Sequence, residues 1–333
     1  MTGVQTCALP IYRHNLAGIA GRVKIHVADV RDWPRLPALI KGQDFLFNLA
    51  GQTSHLDSMT DPQTDLDINC RAQLAILEAC RQHNPGIRIV FASTRQIYGR
   101  PDALPVAETH PLRPVDVNGI NKLAGESFHL LYARVHGIRA TALRLTNTIG
   151  PRMRIKDARQ TFVGVWIRRL LEGAPIEVWG GQQLRDFTYV DDAVEAFLLA
   201  AAHDSAIGQV YNLGGPPPVS LQRLAEMLVA LNQGGVVAMR PFPAERQRID
   251  IDSLLRLDVA CVFAEPPVAE VAVQRVVTDA EDAGRFALVA AAALVHEPRV
   301  ATTPCAHGVI ARQRRPEHLP IVAAHQQIGR AHV

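Results

Sequence analysis

The sequence predicts an α/β fold built on a doubly wound, mostly parallel sheet. Two observations support this prediction: short β-rich runs alternate with helical patterns between about residues 12 and 252, and the helical patterns are long enough to cross back over a sheet. The composition is that of a globular protein, with 48% hydrophobic and 20% charged residues. A chain of 333 residues has room for one large domain or two ordinary ones.

Five short runs rich in β-branched and other apolar residues predict the strands, at 23–30, 44–50, 88–93, 139–146 and 209–214. Between them, apolar residues recur at spacings of three and four, which is the repeat of one helix face. This pattern predicts a helix over 66–80 with the stripe Leu66, Cys70, Leu74, Leu77 and Cys80, and one over 118–136 with the stripe Ile120, Ala124, Phe128, Leu131 and Val135. A last helix is expected over 220–232, where Ser220 can cap the first turn.

Charge and composition argue against several classes of protein. The 35 basic and 32 acidic residues are interspersed and leave a net charge of +3, so no basic patch for nucleic acid or an anionic membrane stands out. No run of about 18 apolar residues is present, and we expect no membrane span. The five cysteines form no CxxC pair and no metal spacing, which favours a reducing compartment without a structural metal. We therefore expect a soluble, cytoplasmic protein.

Both ends of the chain differ from the rest. Residues 253–333 contain no Lys, Tyr or Trp and are rich in Ala, Val, Arg and Pro, so they offer little material for a core. This segment is interpreted either as a variable extension or as a non-native, frame-shifted or disordered tail. Residues 1–11 and 328–333 look like translated sequencing-adapter DNA, and we exclude these two terminal segments from the expected fold.

Six ordered motifs lie between these ends. They are NLAG at 48–51, the Asp61-Pro62 pair followed by Asn69, FAST..IYG at 91–99, NKLAGE around Lys122, LRLTNTIGPR at 143–152 and LRDFTYVDD at 184–192. In this order they resemble the NAD-dependent epimerase/dehydratase family of extended short-chain dehydrogenases/reductases, the group that contains UDP-glucose 4-epimerase. The resemblance covers roughly residues 13–252.

The resemblance implies an NAD(P)-binding Rossmann domain formed by 12–150 and 186–214, and a smaller substrate-binding domain formed by 151–185 and 215–252. The family opens with a strand, a Gly-rich turn that brings backbone amides to the pyrophosphate, a helix and a second strand. No G-x-G-x-x-G pattern occurs in this sequence. We therefore expect that the first βαβ unit is missing, that the sheet joins the family's third and fourth strands or leaves a gap, and that the printed chain is inactive and binds neither NAD nor NADP.

By resemblance, five residues belong to the cofactor site. Asp29 and Val30 end the family's third strand beside the adenine, Ala50 and Gly51 pass close to the dinucleotide, and Lys122 bonds to the nicotinamide ribose. Small residues suit a close approach of backbone to ligand. A solvated strand end for Asp29 and an ordinary exposed helical lysine at 122 are the alternatives. NAD is the expected cofactor, and NADP stays open because the discriminating segment is absent.

The resemblance also assigns catalytic positions to Thr94, Asn118 and Lys122. Asn118 stands where the family has a Tyr four residues before the Lys, and an Asn side chain cannot accept or release a proton at neutral pH. Either Lys122 or a displaced group, such as His55, would then have to move the proton, or turnover is lost. In a chain with the missing unit restored, we expect Lys122→Ala to abolish activity and Asn118→Tyr to leave it unchanged or raise it.

For the substrate, the resemblance implies that Asn147 and Arg185 contact a nucleotide sugar near its diphosphate, where the planar fork of Arg suits phosphate oxygens. A structural ion pair is the alternative for Arg185. The other expected substrate contacts are Arg246 or Arg248 at the diphosphate, and Ser54 and His55 in the loop that faces the sugar.

Arg95 and Gln96 replace the Asp-Glu pair with which family dehydratases move the protons of water elimination, so dehydration is disfavoured. The simplest function is an NAD-dependent nucleotide-sugar epimerase that works by transient hydride transfer. The alternatives are an NAD-linked oxidoreductase on another activated substrate and a dinucleotide-binding protein without turnover. The resemblance further implies a homodimer through the helices at 66–80 and 118–136, with anchors at Leu74, Leu77, Phe128 and Leu131.

Overall fold

The computed structural model describes residues 4–7, 23–153, 155, 162–214, 218–243 and 321–324. In chain order its strands are β1 (Val4–Cys7), β2 (Val23–His26), β3 (Phe45–Asn48), β4 (Arg88–Thr94), β5 (Arg139–Leu145), β6 (Asn147–Ile149), β7 (Ile176–Trp179), β8 (Leu184–Arg185), β9 (Phe187–Tyr189), β10 (Val210–Leu213), β11 (Val219–Ser220), β12 (Val237–Arg240) and β13 (Ile321–Ala324). The predicted α/β class is confirmed, because seven of these strands form one parallel sheet.

The α-helices are α1 (Leu36–Ile40), α2 (His55–Thr60), α3 (Pro62–Leu66), α4 (Ala72–His83), α5 (Val117–His136), α6 (Phe162–Leu171), α7 (Val190–Ala202) and α8 (Leu221–Leu231). Turns of 3-10 helix lie at Trp33–Arg35, Arg95–Tyr98 and Asp204–Ala206, and a π-helical turn lies at Asp67–Arg71. Within the described part of the chain, no helix is both long and apolar enough to cross a membrane.

The large sheet has the order β10-β5-β4-β3-β13-β1-β2. The expectation that the strand at 23–30 joins the one at 44–50 or leaves a gap is wrong, because β13 and β1 lie between them. Strand β1 lies in the terminal segment 1–11 that the expected fold excludes, and β13 lies in the segment 253–333 that was interpreted as a variable extension or a non-native tail. Their pairing satisfies backbone N–H and C=O groups that β2 and β3 would otherwise leave as open edges inside the sheet.

The other predicted elements are confirmed within a few residues. The strands β3, β4, β5 and β10 fall inside or beside their predicted runs, while the run at 23–30 is a strand only as far as His26. Ser220 caps α8, and its side chain accepts a hydrogen bond of 3.2 Å from the backbone N–H of Arg223.

The predicted helix at 66–80 is interrupted by the π-helical turn between α3 and α4. A π-helical turn adds a residue to the helix and rotates the residues that follow it. Leu77 and Cys80 of the predicted stripe are fully buried, but Leu74 is 36% exposed and Ile76 is buried instead. The predicted apolar face is therefore only partly the face that packs on the sheet.

Helix α5 buries a mainly polar face, and most of its apolar stripe lies outside the core. Ile120, Leu131 and Val135 are 54%, 39% and 59% exposed. The buried residues are Asn118, Gly119, Asn121, Lys122, Gly125, Glu126, His129 and Tyr132. At Gly125 an added Cβ would come 2.8 Å from the backbone oxygen of Asn69, so the absence of a side chain lets the two helices approach closely. A mainly polar stripe packs against the sheet, and apolar residues face outward.

Each face of the sheet has its own core. Ile89 packs with Leu77 and Ile138 under α4 and α5, whereas the next residue, Val90, packs with Phe197 under α7. Neighbouring residues of a strand point to opposite faces, so this alternation gives the helix-sheet-helix layering of a doubly wound fold. A separate cluster between α6, α8 and β7 contains Val163, Trp166, Ile167, Ile176 and Leu224.

A buried ion pair joins α5 to the centre of the sheet. The guanidinium Nη2 of Arg144 on β5 lies 2.6 Å from Oε1 of Glu126 on α5, and both side chains are at most 5% exposed. Ser93 on β4 donates to Oε2 of Glu126 at 2.5 Å, and Arg144 Nη1 donates to the hydroxyl oxygen of Tyr98. Tyr98 in turn donates to Oδ1 of Asn212 on β10 at 2.6 Å. This network links α5 with three adjacent strands.

Replacing Arg144 by Leu should lower the free energy of unfolding by about 3–5 kcal/mol, because the Glu126 carboxylate would stay buried without its partner. Urea denaturation of the wild type and the variant measures this difference. The matched control is Arg71→Leu, which removes an exposed Arg71–Asp67 pair and should change little. Equal stability of Arg144→Leu and the wild type would refute this account of the pair. Adding Glu126→Leu to the variant should recover part of the loss.

Candidate active site

The predicted site residues gather at the carboxyl ends of the parallel strands, which is where doubly wound folds bind ligands. Ala50 and Gly51 follow β3, and Thr94 ends β4. The ammonium of Lys122 on α5 donates to the backbone oxygen of Ala92 at 3.2 Å, two residues before Thr94. The structure therefore brings Gly51, Thr94 and Lys122 to one edge of the sheet.

Lys122 is a buried cation rather than the exposed helical lysine of the alternative interpretation. Its side chain is only 6% exposed, and its Nζ lies 5.1 Å from the ring centroid of Phe91. Burial lowers the pKa of Lys122 from 10.5 to about 8, and the charge of Asp65 partly opposes that shift. A Cβ at Gly51 would lie closer to Nζ than van der Waals contact allows, so a larger residue there would displace the ammonium from its present position.

The hydrogen bonding of Lys122 fits a ribose. An ammonium has three N–H donors, and Ala92 accepts the only hydrogen bond that Nζ makes to the described residues. A buried donor without an acceptor is costly, so the other two N–H groups suit hydroxyl oxygens of a ligand. Thr94 lies on the adjacent strand end, and its Oγ1 accepts from the backbone N–H of Gln96 at 3.3 Å.

Asn118 is held in a polar network inside the protein. Its Nδ2 donates to the backbone oxygen of Gln52 at 2.7 Å and to Oδ2 of Asp65 at 2.9 Å, and the residue is 2% exposed. Asn121 donates to the other carboxylate oxygen of Asp65 at 2.9 Å. The expected effect of Asn118→Tyr on activity stays a prediction, but the structure shows which contacts the substitution would disturb. A Tyr would remove a donor from the buried Asp65 carboxylate and need more space than Asn occupies.

His55, the first residue of α2, contacts two side chains from other elements. Its Nδ1 is hydrogen-bonded to Oδ2 of Asp116, and its Nε2 is hydrogen-bonded to the side-chain amide of Gln96. Asp116 is the N-cap of α5, where its Oδ1 accepts from the N–H of Gly119 at 2.6 Å. Asp116 was not among the predicted site residues. Its signal was present, since Asp directly before a helical pattern is a capping residue.

The predicted contacts for the adenine and the sugar have local structural roles. Asp29 forms an ion pair of 2.6 Å with Arg31, and hydrogen bonding from Arg31 lowers the pKa of its carboxyl group. Val30 and Ala50 pack in the core under α4, so only their backbones can meet a cofactor. Ser54 caps α2 by accepting from the N–H of Asp57 at 3.1 Å.

Asn147 and Arg185, the predicted diphosphate contacts, lie close to each other in the structure. Asn147 starts β6 and donates from Nδ2 to the backbone oxygen of Asp186 at 3.2 Å, next to Arg185 on β8. Nη1 of Arg185 donates to the backbone oxygen of Leu184 at 2.8 Å. Arg246 and Arg248 lie outside the described residues. Among the residues that the structure describes, no group of three or more His, Cys, Asp or Glu is arranged to hold a metal.

Comparisons with known proteins agree on one family. The profile described as NAD dependent epimerase/dehydratase family matches residues 8–214. A putative UDP-glucose 4-epimerase from Methanocaldococcus jannaschii is 32% identical over 60% of this chain, and an uncharacterized UDP-glucose epimerase from Bacillus subtilis is 32% identical over 58%. The aligned segments cover 65% and 60% of those relatives, so the chain spans less than two thirds of their length.

Solved structures show the same fold at lower identity. A UDP-N-acetylglucosamine 4-epimerase from Methanobrevibacter ruminantium superposes with a TM-score of 0.69 at 23% identity, covering 80% of this chain and 82% of that one. A dTDP-glucose 4,6-dehydratase from Streptomyces venezuelae, solved with NAD bound, superposes with a TM-score of 0.71 at 20% identity, covering 84% and 83%.

Replacing Lys122 by Met should remove a pH dependence of stability. The unfolded chain has the ordinary lysine pKa, so it binds more protons than the folded chain between about pH 8 and 10.5, and the wild type gains stability as pH rises through that window. Below about pH 8 the buried charge destabilises the wild type fully. The Lys122→Met variant lacks this penalty. Its free energy of unfolding minus that of the wild type should therefore shrink by up to about 3 kcal/mol as the pH rises from about 8 to 10.5.

Urea denaturation at a series of pH values measures this difference. Lys41→Met, at an exposed position, is the matched control and should show no such trend. A difference between Lys122→Met and the wild type that stays constant with pH would contradict the buried, depressed lysine.

Proposed function

The chain belongs to the NAD dependent epimerase/dehydratase family, and on this premise we propose that it is an NAD-dependent nucleotide-sugar epimerase that works by transient hydride transfer. The observation that carries the proposal is the buried Lys122 ammonium beside Thr94, with two donors left for hydroxyl groups. A non-catalytic dinucleotide-binding role does not by itself require a titratable cation at that point.

When bound, NAD supplies an acceptor for the hydride of the sugar C–H bond and later returns that hydride. The residues of this chain orient the reactants. Lys122 would bind the nicotinamide ribose and contribute positive charge, and Thr94 would donate a hydrogen bond to the reacting sugar oxygen. Gly51 lets the backbone after β3 approach the cofactor because no side chain stands in the way. We propose NAD rather than NADP as the cofactor.

The proposed substrate is a nucleotide diphosphate sugar. Asn147 and Arg185 lie next to each other on β6 and β8, and a guanidinium and an amide together suit the oxygens of a diphosphate. Relatives of this chain include a UDP-glucose 4-epimerase and a UDP-glucuronate 4-epimerase, which favours a UDP-sugar. We further propose that the protein works in the cytoplasm, where Cys70 and Cys80 would keep the free thiols seen in the structure.

Binding of NAD to the 333-residue chain should be weak. The sequence has no G-x-G-x-x-G pattern, and such a turn supplies the backbone amides that hold the pyrophosphate. We therefore propose that little turnover occurs at ordinary NAD concentrations. Activity has to be measured while NAD is raised until the rate stops increasing.

UDP-glucose should bind the wild type, and Arg185→Ala should weaken that binding by about tenfold or more, since a charge-assisted hydrogen bond is worth about 1.5–3 kcal/mol. Calorimetry measures the affinity without NAD, and chromatography after incubation with NAD detects the C4 epimer. Arg240→Ala is the matched control, because Arg240 is an exposed arginine paired with Glu177. Failure of UDP-glucose and a panel of other nucleotide sugars to bind would overturn the proposal.

We also propose a homodimer through the outer faces of α4 and α5. Leu74, Leu131 and Val135 are apolar and exposed on these helices, so a second copy could bury them across a two-fold axis. The other two expected anchors serve the fold itself: Leu77 is fully buried in the core, and Phe128 packs partly against it.

Sedimentation velocity tests the dimer. The wild type should sediment as a dimer at micromolar concentration, and Leu131→Glu should sediment as a monomer, because a charge would be buried at the interface. Val194→Glu changes an equally apolar, exposed position on α7 and should stay dimeric. A monomeric wild type, or a dimeric Leu131→Glu variant, would rule out this surface.

A further inference from the structure

The carboxylate of Asp116 holds His55 in one orientation. Oδ2 of Asp116 is hydrogen-bonded to Nδ1 of the imidazole, and the Asp116 side chain is 1% exposed while that of His55 is 35% exposed. The carboxylate is fixed from its other side, since Oδ1 caps α5 through the N–H of Gly119. The buried carboxylate therefore binds one ring nitrogen, and the rest of the imidazole lies at the surface of the site.

The carboxylate contact determines the tautomer. An ionised carboxylate can only accept, so the proton of the neutral ring is on Nδ1 and points at Asp116. The other ring nitrogen, Nε2, is then an acceptor and meets the side-chain amide of Gln96. Gln96 then uses the lone pair of Nε2, so a substrate hydroxyl can reach this nitrogen only by displacing the Gln96 amide. A carboxylate bound to the other nitrogen is the arrangement that orients an imidazole for proton transfer.

Gln96 can serve both protonation states of the ring. Its Oε1 is buried and has no hydrogen-bond partner among the described residues. If Nε2 of His55 gained a proton, rotation of the amide would offer Oε1 as an acceptor. An unpartnered amide oxygen beside the imidazole is otherwise a cost to the fold.

His55 lies close to the other groups of the site. Gln96 is two residues after Thr94, and its backbone N–H donates to Thr94 Oγ1 at 3.3 Å. On the other side, the backbone N–H of Asn118 donates to Oγ of Ser58 on α2 at 3.3 Å. Helix α2 thus places His55 at the start of α5, between the strand end that carries Thr94 and the helix that carries Lys122.

We propose that His55 is the proton acceptor of this site and that Asp116 is the residue that positions it, an inference that rests on the proposed function. As the sugar hydroxyl is oxidised to a ketone, its O–H bond would break and the proton would pass to Nε2 of His55 in place of the Gln96 hydrogen bond, while the hydride of the C–H bond would leave to the oxidised nicotinamide. In the return step the reduced nicotinamide would supply the hydride to the carbonyl carbon, and Nε2 would give its proton to the oxygen. Electrons and protons balance, and the ring ends neutral.

Nitrogen-15 NMR of the imidazoles in the full-length chain tests the positioning. The wild-type His55 should carry its proton on Nδ1, and Asp116→Asn should move it to Nε2, because the new amide donates where the carboxylate accepted. Asn caps helices as well as Asp does, so the fold should persist. Asp61→Asn, at the N-cap of α3, is the matched control and should leave the tautomer unchanged. A wild-type ring protonated on Nε2 would overturn the proposal.

Turnover of UDP-glucose, with NAD raised to saturation, tests the proton transfer. His55→Gln should lower kcat by about 10²-fold or more at unchanged UDP-glucose affinity, and added imidazole should restore part of the rate. His83→Gln, on the exposed end of α4, is the control and should match the wild type. Full activity of His55→Gln, or a loss confined to affinity, would overturn the role of His55. If the wild type binds UDP-glucose but forms no product, the proposed function is overturned instead. The tautomer measured by NMR would then still test whether Asp116 positions His55.

Discussion

The buried Arg144–Glu126 pair sets where α5 lies on the sheet. Two opposite charges that are almost completely removed from water must stay together, because separating them would leave an uncompensated charge in the core. Ser93 and Tyr98 use further hydrogen-bonding capacity of the pair, so strand and helix can shift only as one unit. The position of Lys122, one helical turn before Glu126, follows from this constraint.

The polar interior of α5 has a cost for stability and a benefit for chemistry. Burying Lys122 penalises its charged form, which the lowered pKa of about 8 expresses. The same burial keeps the ammonium in one place and leaves its donors without competing water. Asp65 contributes a compensating charge nearby, and it is itself held by the amides of Asn118 and Asn121. Much of the helix that builds the site is therefore packed through hydrogen bonds rather than apolar contacts.

The motifs predicted which residues belong to the site but not their partners inside the protein. Ser54 caps a helix, and Asp29 pairs with Arg31. Asn118, at the position where the resemblance implies an acid-base residue, stabilises a buried carboxylate. The partners of Ser54 and Asp29 lie within three positions of them in the chain, whereas the partner of Asn118, Asp65, belongs to a distant helix. Only the first kind can be anticipated from neighbouring residues.

The sequence alone determined the alternation of strands and helices, the parallel sheet and the family, because these depend on the local repeat of apolar residues and on short ordered motifs. The exposed and buried faces of α5, the insertion of β13 and β1 between β2 and β3, and the pairing of His55 with Asp116 were decided by the tertiary structure. Each of these depends on contacts between residues far apart in the chain. A periodic pattern shows that a helix has two faces, but the partner that satisfies its polar groups decides which of them is buried.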